Sequence, residues 1–175
     1  MTNIWHDISP ERITRKDFEA VIEISKGSKM KYELDKETGL LKLDRVLHTS
    51  THYPANYGFI PRTYADDNDP LDVLVLCSEK IEPLALVRCY PIGVISMVDG
   101  GHADDKIIAV LTHDVTYSSY NDITELPKGV VNRLKHYFLT YKDMPDSEKA
   151  KKVEIVDIYG REEAQQIINR SLEDY

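Results

Sequence analysis

Asp66-Asp67-Asn68-Asp69-Pro70-Leu71-Asp72 places four carboxylates in one proline-punctuated loop, and the chain runs from it straight into Val73-Leu74-Val75-Leu76-Cys77. That apolar, β-branched run reads as a buried strand. Carboxylates packed this closely repel one another, more strongly as the strand beside them excludes water. A hard divalent cation relieves the repulsion, and Mg²⁺ and Ca²⁺ both take oxygen ligands. Pro70 has a fixed φ, so Asp69 and Asp72 leave the loop at set angles. Taken alone, such a loop reads more plainly as a solvated acidic turn. An EF-hand fits poorly, because counting from Asp67 both its glycine and its terminal glutamate are missing.

A second acidic loop weakens the solvated-turn reading. Val98-Asp99-Gly100-Gly101-His102-Ala103-Asp104-Asp105-Lys106 leads into the apolar strand Ile107-Ile108-Ala109-Val110-Leu111. Gly100-Gly101 permits a tight turn that brings Asp99 and Asp104 toward each other. Around the two loops the chain offers Glu23, Lys31, Glu33, Arg45, Tyr53, Tyr57, Lys106, Tyr141 and Lys142, and it uses 11 Tyr against three Phe. Carboxylates mixed with a smaller set of cations and phenols suit phosphoryl transfer to water. Metals held by carboxylates polarise phosphate oxygens and acidify water. Lys, Arg and Tyr stabilise charge on the leaving oxygens, and a carboxylate not committed to metal takes the proton. His102 and His52 receive no role, since Mg²⁺ prefers oxygen.

These side chains need elements to position them. Phe18, Ala20, Ile22 and Ile24 alternate along a strand whose other face carries Glu19, Val21 and Glu23, which aims Glu23 away from the main core. Met30–Leu34 and Leu40–Val46 flank Asp35-Lys36-Glu37-Thr38-Gly39 as a hairpin, with Gly39 supplying a positive φ. Lys31 and Glu33 share one face of that hairpin, and Arg45 lies at the far end of its partner strand. His52 to Pro61 is dense in tyrosine and turn formers. Leu71–Cys77 and Leu86–Ile95 read as further strands. Val130, Val131, Leu134, Phe138 and Tyr141 recur at helical spacing after Pro127, and Glu162–Leu172 repeats the pattern with Ala164, Ile167, Ile168 and Leu172 inward. With no repeat and no linker composition, residues 1–175 read as a single α+β domain: a compact, mostly antiparallel sheet or barrel with helices packed outside.

Composition narrows the function classes. With 42% hydrophobic residues, the chain of 175 residues can build a real core. Thirty acidic residues against 22 basic give a net charge of −8, which opposes nucleic-acid binding by bulk electrostatics. Cys77 and Cys89 lie in apolar, strand-like surroundings and suit free thiols in a reducing compartment. The N-terminus shows no signal peptide and no run reaches membrane-spanning length, so the expectation is a cytoplasmic protein with no membrane partner.

The order Lys31-Tyr32-Glu33, Tyr53-Pro54-Ala55-Asn56-Tyr57-Gly58, Asp67-Asn68-Asp69-Pro70-Leu71-Asp72-Val73 and Asp99…Asp104-Asp105-Lys106 resembles soluble family I inorganic pyrophosphatases, whose D-x-D-P-x-D signature is intact here. The resemblance runs from about Phe18 through Lys142, and the length suits the bacterial or archaeal form. It implies an inorganic diphosphatase that converts pyrophosphate and water to two phosphates, on a five-stranded OB-like β-barrel with helices outside. By the same resemblance Asp67, Asp72 and Asp104 hold the tighter Mg²⁺, with Asp72 also reaching a second ion. Asp69 is the general base, Asp99 helps bind an Mg²⁺ arriving with substrate, and Glu23 reaches a fourth. Lys31, Arg45, Tyr57, Lys106, Tyr141 and Lys142 bind the phosphoryl groups, with Glu33 and Tyr53 supporting the cavity. A homohexamer is expected by analogy. Where some members carry an acidic residue after the position of Asp99, this chain has Gly100.

Three other readings compete. A nucleotide or polyphosphate hydrolase lacks its Gly-rich P-loop here. A barrel that binds single-stranded nucleic acid is opposed by the net charge and the acidic loops. A structural Ca²⁺-binding domain leaves the Lys, Arg and Tyr set without a purpose.

Overall fold

Asp72 is the second residue of a strand that is buried on both faces, and that strand is the spine of the molecule. The structure is a computed structural model that describes residues 3–48, 50–140 and 153–175. In chain order the strands are β1 (Phe18–Ile24), β2 (Met30–Leu34), β3 (Leu41–Val46), β4 (Asn56–Ile60), β5 (Leu71–Leu76), β6 (Leu86–Asp99), β7 (His102–Ala103) and β8 (Lys106–Leu111). Helix α1 (Lys128–Thr140), strand β9 (Val153–Gly160) and helix α2 (Arg161–Glu173) follow. Val73 and Val75 of β5 enter one apolar cluster, which α2 covers with Ala164 and Ile168. Leu74 and Leu76 enter a second, which α1 covers with Leu134, Tyr137 and Phe138. Alternation across a pleat with both faces buried explains why β5 reads as an unbroken apolar run.

Pairing closes on itself. The order β1-β4-β5-β8-β6 is completed by a further β1–β6 ladder, so five strands form a ring of hydrogen-bonded neighbours. β6 runs past the ring to Asp99 and there pairs with β7 and β9, while β2 and β3 form a separate hairpin. The expected α+β class is observed. β6 is four residues longer than the Leu86–Ile95 expected, because its extension is paired on one side by β9.

Three strands escape the reading from sequence: β4, the two-residue β7 and β9. The segment of β4, Asn56-Tyr57-Gly58-Phe59-Ile60, looks like punctuation in sequence, yet it pairs with both β1 and β5. Gly58 is there for a steric reason. A Cβ on it would stand 1.8 Å from the backbone oxygen of Val21. Gly58→Ala is therefore expected to cost about 3 kcal/mol, the upper end of overpacking, because the obstacle is backbone and cannot rotate away. Thermal unfolding of the variant against wild type checks this.

Candidate active site

A cavity of about 580 Å³ opens where β5, β8, the β6–β7 turn and the β2–β3 hairpin meet. Glu23, Asp67, Asp69, Asp72, Asp99 and Asp104 all line it, together with Lys31, Glu33, Tyr53, Tyr57 and Lys106. The sequence-expected residues thus come together, with three exceptions. Arg45 does not line the cavity, and Tyr141 and Lys142 lie outside the described residues.

The first acidic loop is built to hold its shape. Asn68 adopts φ 67°, a left-handed conformation that asparagine tolerates. The Asp69 amide donates to Asp67 Oδ1 at 3.1 Å, and the Ala65 amide donates to the Asp69 carbonyl at 2.8 Å. The Leu71 amide then donates to Thr63 Oγ1 at 2.9 Å, fixing where β5 begins. In the second loop Gly100 and Gly101 have φ 59° and 84°, the two-residue hairpin turn that only such residues accept readily. Asp99 and His102 are register partners across it. Asp104 and Lys106 face the cavity, whereas Asp105 lines a separate pocket with Arg170.

β5 and β8 run parallel with Asp72 opposite Lys106, which puts the two side chains on one face. Lys106 is buried, and its Nζ donates to Asp72 Oδ2 at 2.6 Å, Asp104 Oδ1 at 3.0 Å and the Tyr57 hydroxyl at 2.9 Å. Burial pushes the Asp72 carboxyl above its ordinary range against the pull of Lys106, and Asp104 adds to the rise. Loss of solvent raises Asp67 as well. Burial also raises the Tyr53 phenol, which therefore stays protonated and available as a donor.

Glu23 departs from the expectation of a strand residue aimed away from the core. It is the extra residue of a bulge in β1, where Ile22 pairs with Gly58 and Ile24 with Tyr57. A bulge re-aims a side chain, and Glu23 turns inward to only 8% exposure, its Oε2 accepting from the Leu34 amide at 2.8 Å. Burial raises its carboxyl to about 8, opposed by that hydrogen bond and reinforced by the charge of Asp72. Between pH 4.5 and about 8 the unfolded chain has released a proton that the folded chain keeps. The contribution of this proton to stability is therefore complete below that window and disappears as pH rises through it. In EDTA, Glu23→Gln is expected to melt close to wild type near the acid end and several degrees above it past the alkaline end. Equal melting at both ends would show that Glu23 is not held protonated.

A second bulge explains Arg45. Lys31 pairs with Arg45 but Tyr32 with Leu43, so Asp44 is the extra residue on β3. Asp44 Oδ2 accepts from Lys31 Nζ at 3.0 Å and from Arg45 Nε at 3.2 Å, which holds Arg45 beside Asp44. Lys31 Nζ also donates to Glu33 Oε1 at 2.9 Å. Burial alone would lower the Lys31 ammonium, but Glu33 and Asp44 outweigh it and raise it. Sequence reasoning missed Asp44, and it missed Lys36, which forms an ion pair with Asp69 from the hairpin turn, and Trp5 at the cavity wall. Only Lys36 had a signal, a cation in the turn of a hairpin that already carried Lys31 and Glu33.

The donor set is of the kind that a hard divalent cation takes. Every carboxylate offers hard oxygen, and Asp72 and Asp104 already converge on one positive charge at Lys106 Nζ. Among the described residues no three carboxylate, His or Cys side chains converge on one point.

The family model for inorganic pyrophosphatase matches residues 20–175. Soluble inorganic pyrophosphatase 2 of Chlamydomonas reinhardtii is 45% identical over 171 residues, covering 98% of this chain and 87% of the relative. The inorganic pyrophosphatase of Thermus thermophilus superposes with a TM-score of 0.90 at 35% identity, over 99% of both chains. That of Helicobacter pylori gives 0.89 at 38% identity, over 97% of this chain and 98% of its own. An algal relative in sequence and bacterial ones in structure widen the resemblance beyond the bacterial or archaeal form to the family at large. Agreement of sequence and fold over nearly the full length leads to one conclusion: the chain belongs to the inorganic pyrophosphatase family and is, as a member, an inorganic diphosphatase.

Proposed function

We propose that the chain hydrolyses inorganic diphosphate to two phosphates with Mg²⁺, using Asp69 as general base. The observation that carries this reading is one cavity lined by nine carboxylates, Glu23, Asp67, Asp69, Asp72, Asp99 and Asp104 among them, and by the cations Lys31, Lys36, Lys42 and Lys106. Glu23, Asp67, Asp72, Asp99 and Asp104 would hold the Mg²⁺ ions. Bound there, the ions would supply neutralising charge for the diphosphate and acidify water. Asp69, exposed at the mouth, accepts the proton of the attacking water. Lys31 and Lys106 bind phosphoryl oxygens as point charges and stabilise the charge that gathers on the departing phosphate. Tyr57, fixed by Lys106, and Tyr53 orient the same oxygens, and Glu33 and Asp44 hold Lys31 in place.

Phosphate release from diphosphate, with Mg²⁺ and with EDTA, tests the reading. Rapid release only with Mg²⁺, and little release from ATP, is the expected result. No release by folded, Mg²⁺-loaded protein would defeat it.

We read the closed ring of five strands as the OB-like barrel, and residues 1–175 as one domain around it. A homohexamer in the cytoplasm goes with this reading. The free, buried Cys77 and Cys89 suit that compartment, and light scattering would measure the assembly.

A further inference from the structure

We propose that Lys36 is a further diphosphate-binding residue, parked on Asp69 until substrate arrives and presented at the cavity mouth by the indole of Trp5. The proposal rests on the diphosphatase reading of the site.

Trp5 is the chain's one tryptophan. Its indole is fixed on several sides. Nε1 donates to the Thr63 carbonyl at 2.9 Å, and the ring stacks on His6 at 4.6 Å and on Tyr64 at 6.3 Å. His6 is tied in turn to the C-terminal residue, its Nδ1 lying 2.6 Å from the Tyr175 hydroxyl. Thr63 is fully buried and also anchors the start of β5 through Leu71. The indole is therefore referenced to the same backbone that carries Asp72.

Lys36 lies between this platform and the proposed base. Its Nζ stands 5.0 Å from the indole centroid, a cation–π distance, and forms an ion pair with Asp69. Both side chains of the pair are about half exposed, at 47% and 54%. Exposed pairs of this kind are weak, so the contact is easily exchanged. While it lasts, the Asp69 oxygen facing Lys36 is engaged by an ammonium and is not open to a water proton. An incoming diphosphate brings several negative charges to the same mouth and offers Lys36 stronger, charge-assisted partners. Moving the ammonium from carboxylate to phosphate adds a contact to substrate and frees the base in one displacement.

Two measurements on the full chain test this. In wild type, titration with methylenediphosphonate and Mg²⁺, which cannot turn over, is expected to shift Trp5 emission as the cation leaves the indole face. In Lys36→Met the same titration is expected to leave emission unchanged. In steady-state hydrolysis, Lys36→Met is expected to raise KM about tenfold with kcat within about threefold, and Lys36→Arg to restore KM. Silent emission in wild type would overturn the proposal, as would an equal shift in Lys36→Met. A fall in kcat that Arg does not rescue would mark Lys36 as a structural support of the hairpin and also overturn it. Should wild type release no phosphate at all, the diphosphatase reading fails by itself and the emission titration still decides this one.

Discussion

Asp69→Asn is expected to lower kcat by about 10²- to 10⁴-fold, the usual worth of a positioned general base, with little change in melting temperature. The fold does not lean on this carboxylate. Asp69 is exposed, its amide and carbonyl do the structural work of the loop, and its side chain reaches Lys36 on the surface. Asparagine keeps the size and one acceptor oxygen but cannot take a proton. KM should change far less than kcat. The check is Mg²⁺-dependent phosphate release alongside thermal unfolding of both proteins. A variant that keeps near-wild-type kcat would move the base elsewhere in the cavity, and a variant that fails to fold would contradict the exposed geometry of the loop.

Lys106→Met should be costly in two ways. Methionine keeps the apolar stem and removes the ammonium that sits between Asp72 and Asp104. Breaking a largely buried charge pair from one side costs about 3 kcal/mol, which for a chain of this size lowers the melting temperature by roughly 6–12 °C. The deficit is expected in EDTA and should shrink on adding Mg²⁺, because a divalent cation then supplies the missing positive charge. Turnover is expected to stay at least about 10²-fold below wild type even with Mg²⁺, since a donor to the charged transition state is gone. Melting curves in EDTA and in Mg²⁺, paired with phosphate release, measure both effects. An unchanged melting temperature in EDTA would show that the two carboxylates do not need Lys106.

Much of the site was legible in sequence because its residues sit at ends of strongly patterned strands. The apolar runs after Asp72 and before Leu111 announce β5 and β8, and the loops feeding them carry the carboxylates at short, fixed offsets. What escaped is what breaks period-two alternation. Glu23 was placed on an outward face, and one bulged residue in β1 turned it inward. Asp44 drew no notice, and one bulged residue on β3 puts it beside Lys31 and Arg45. β4 was obscured because Gly58, which reads as a strand breaker, is required by the close approach of β1. Lys36 and Trp5 lie 31 positions apart in chain and meet only through tertiary packing, for which a single sequence holds no local sign.

The ladder that sets Asp72 opposite Lys106 also has a kinetic meaning. Asp72 and Lys106 are 34 residues apart, and the parallel pairing of β5 with β8 is a nonlocal step of the kind that forms slowly. Until that ladder zips in register, the chain can hold its local β2–β3 hairpin and its helices and still have no site. Catalytic competence is then a late folding event, gained all at once when the ring shuts. During refolding from denaturant, activity should therefore lag the recovery of helical signal.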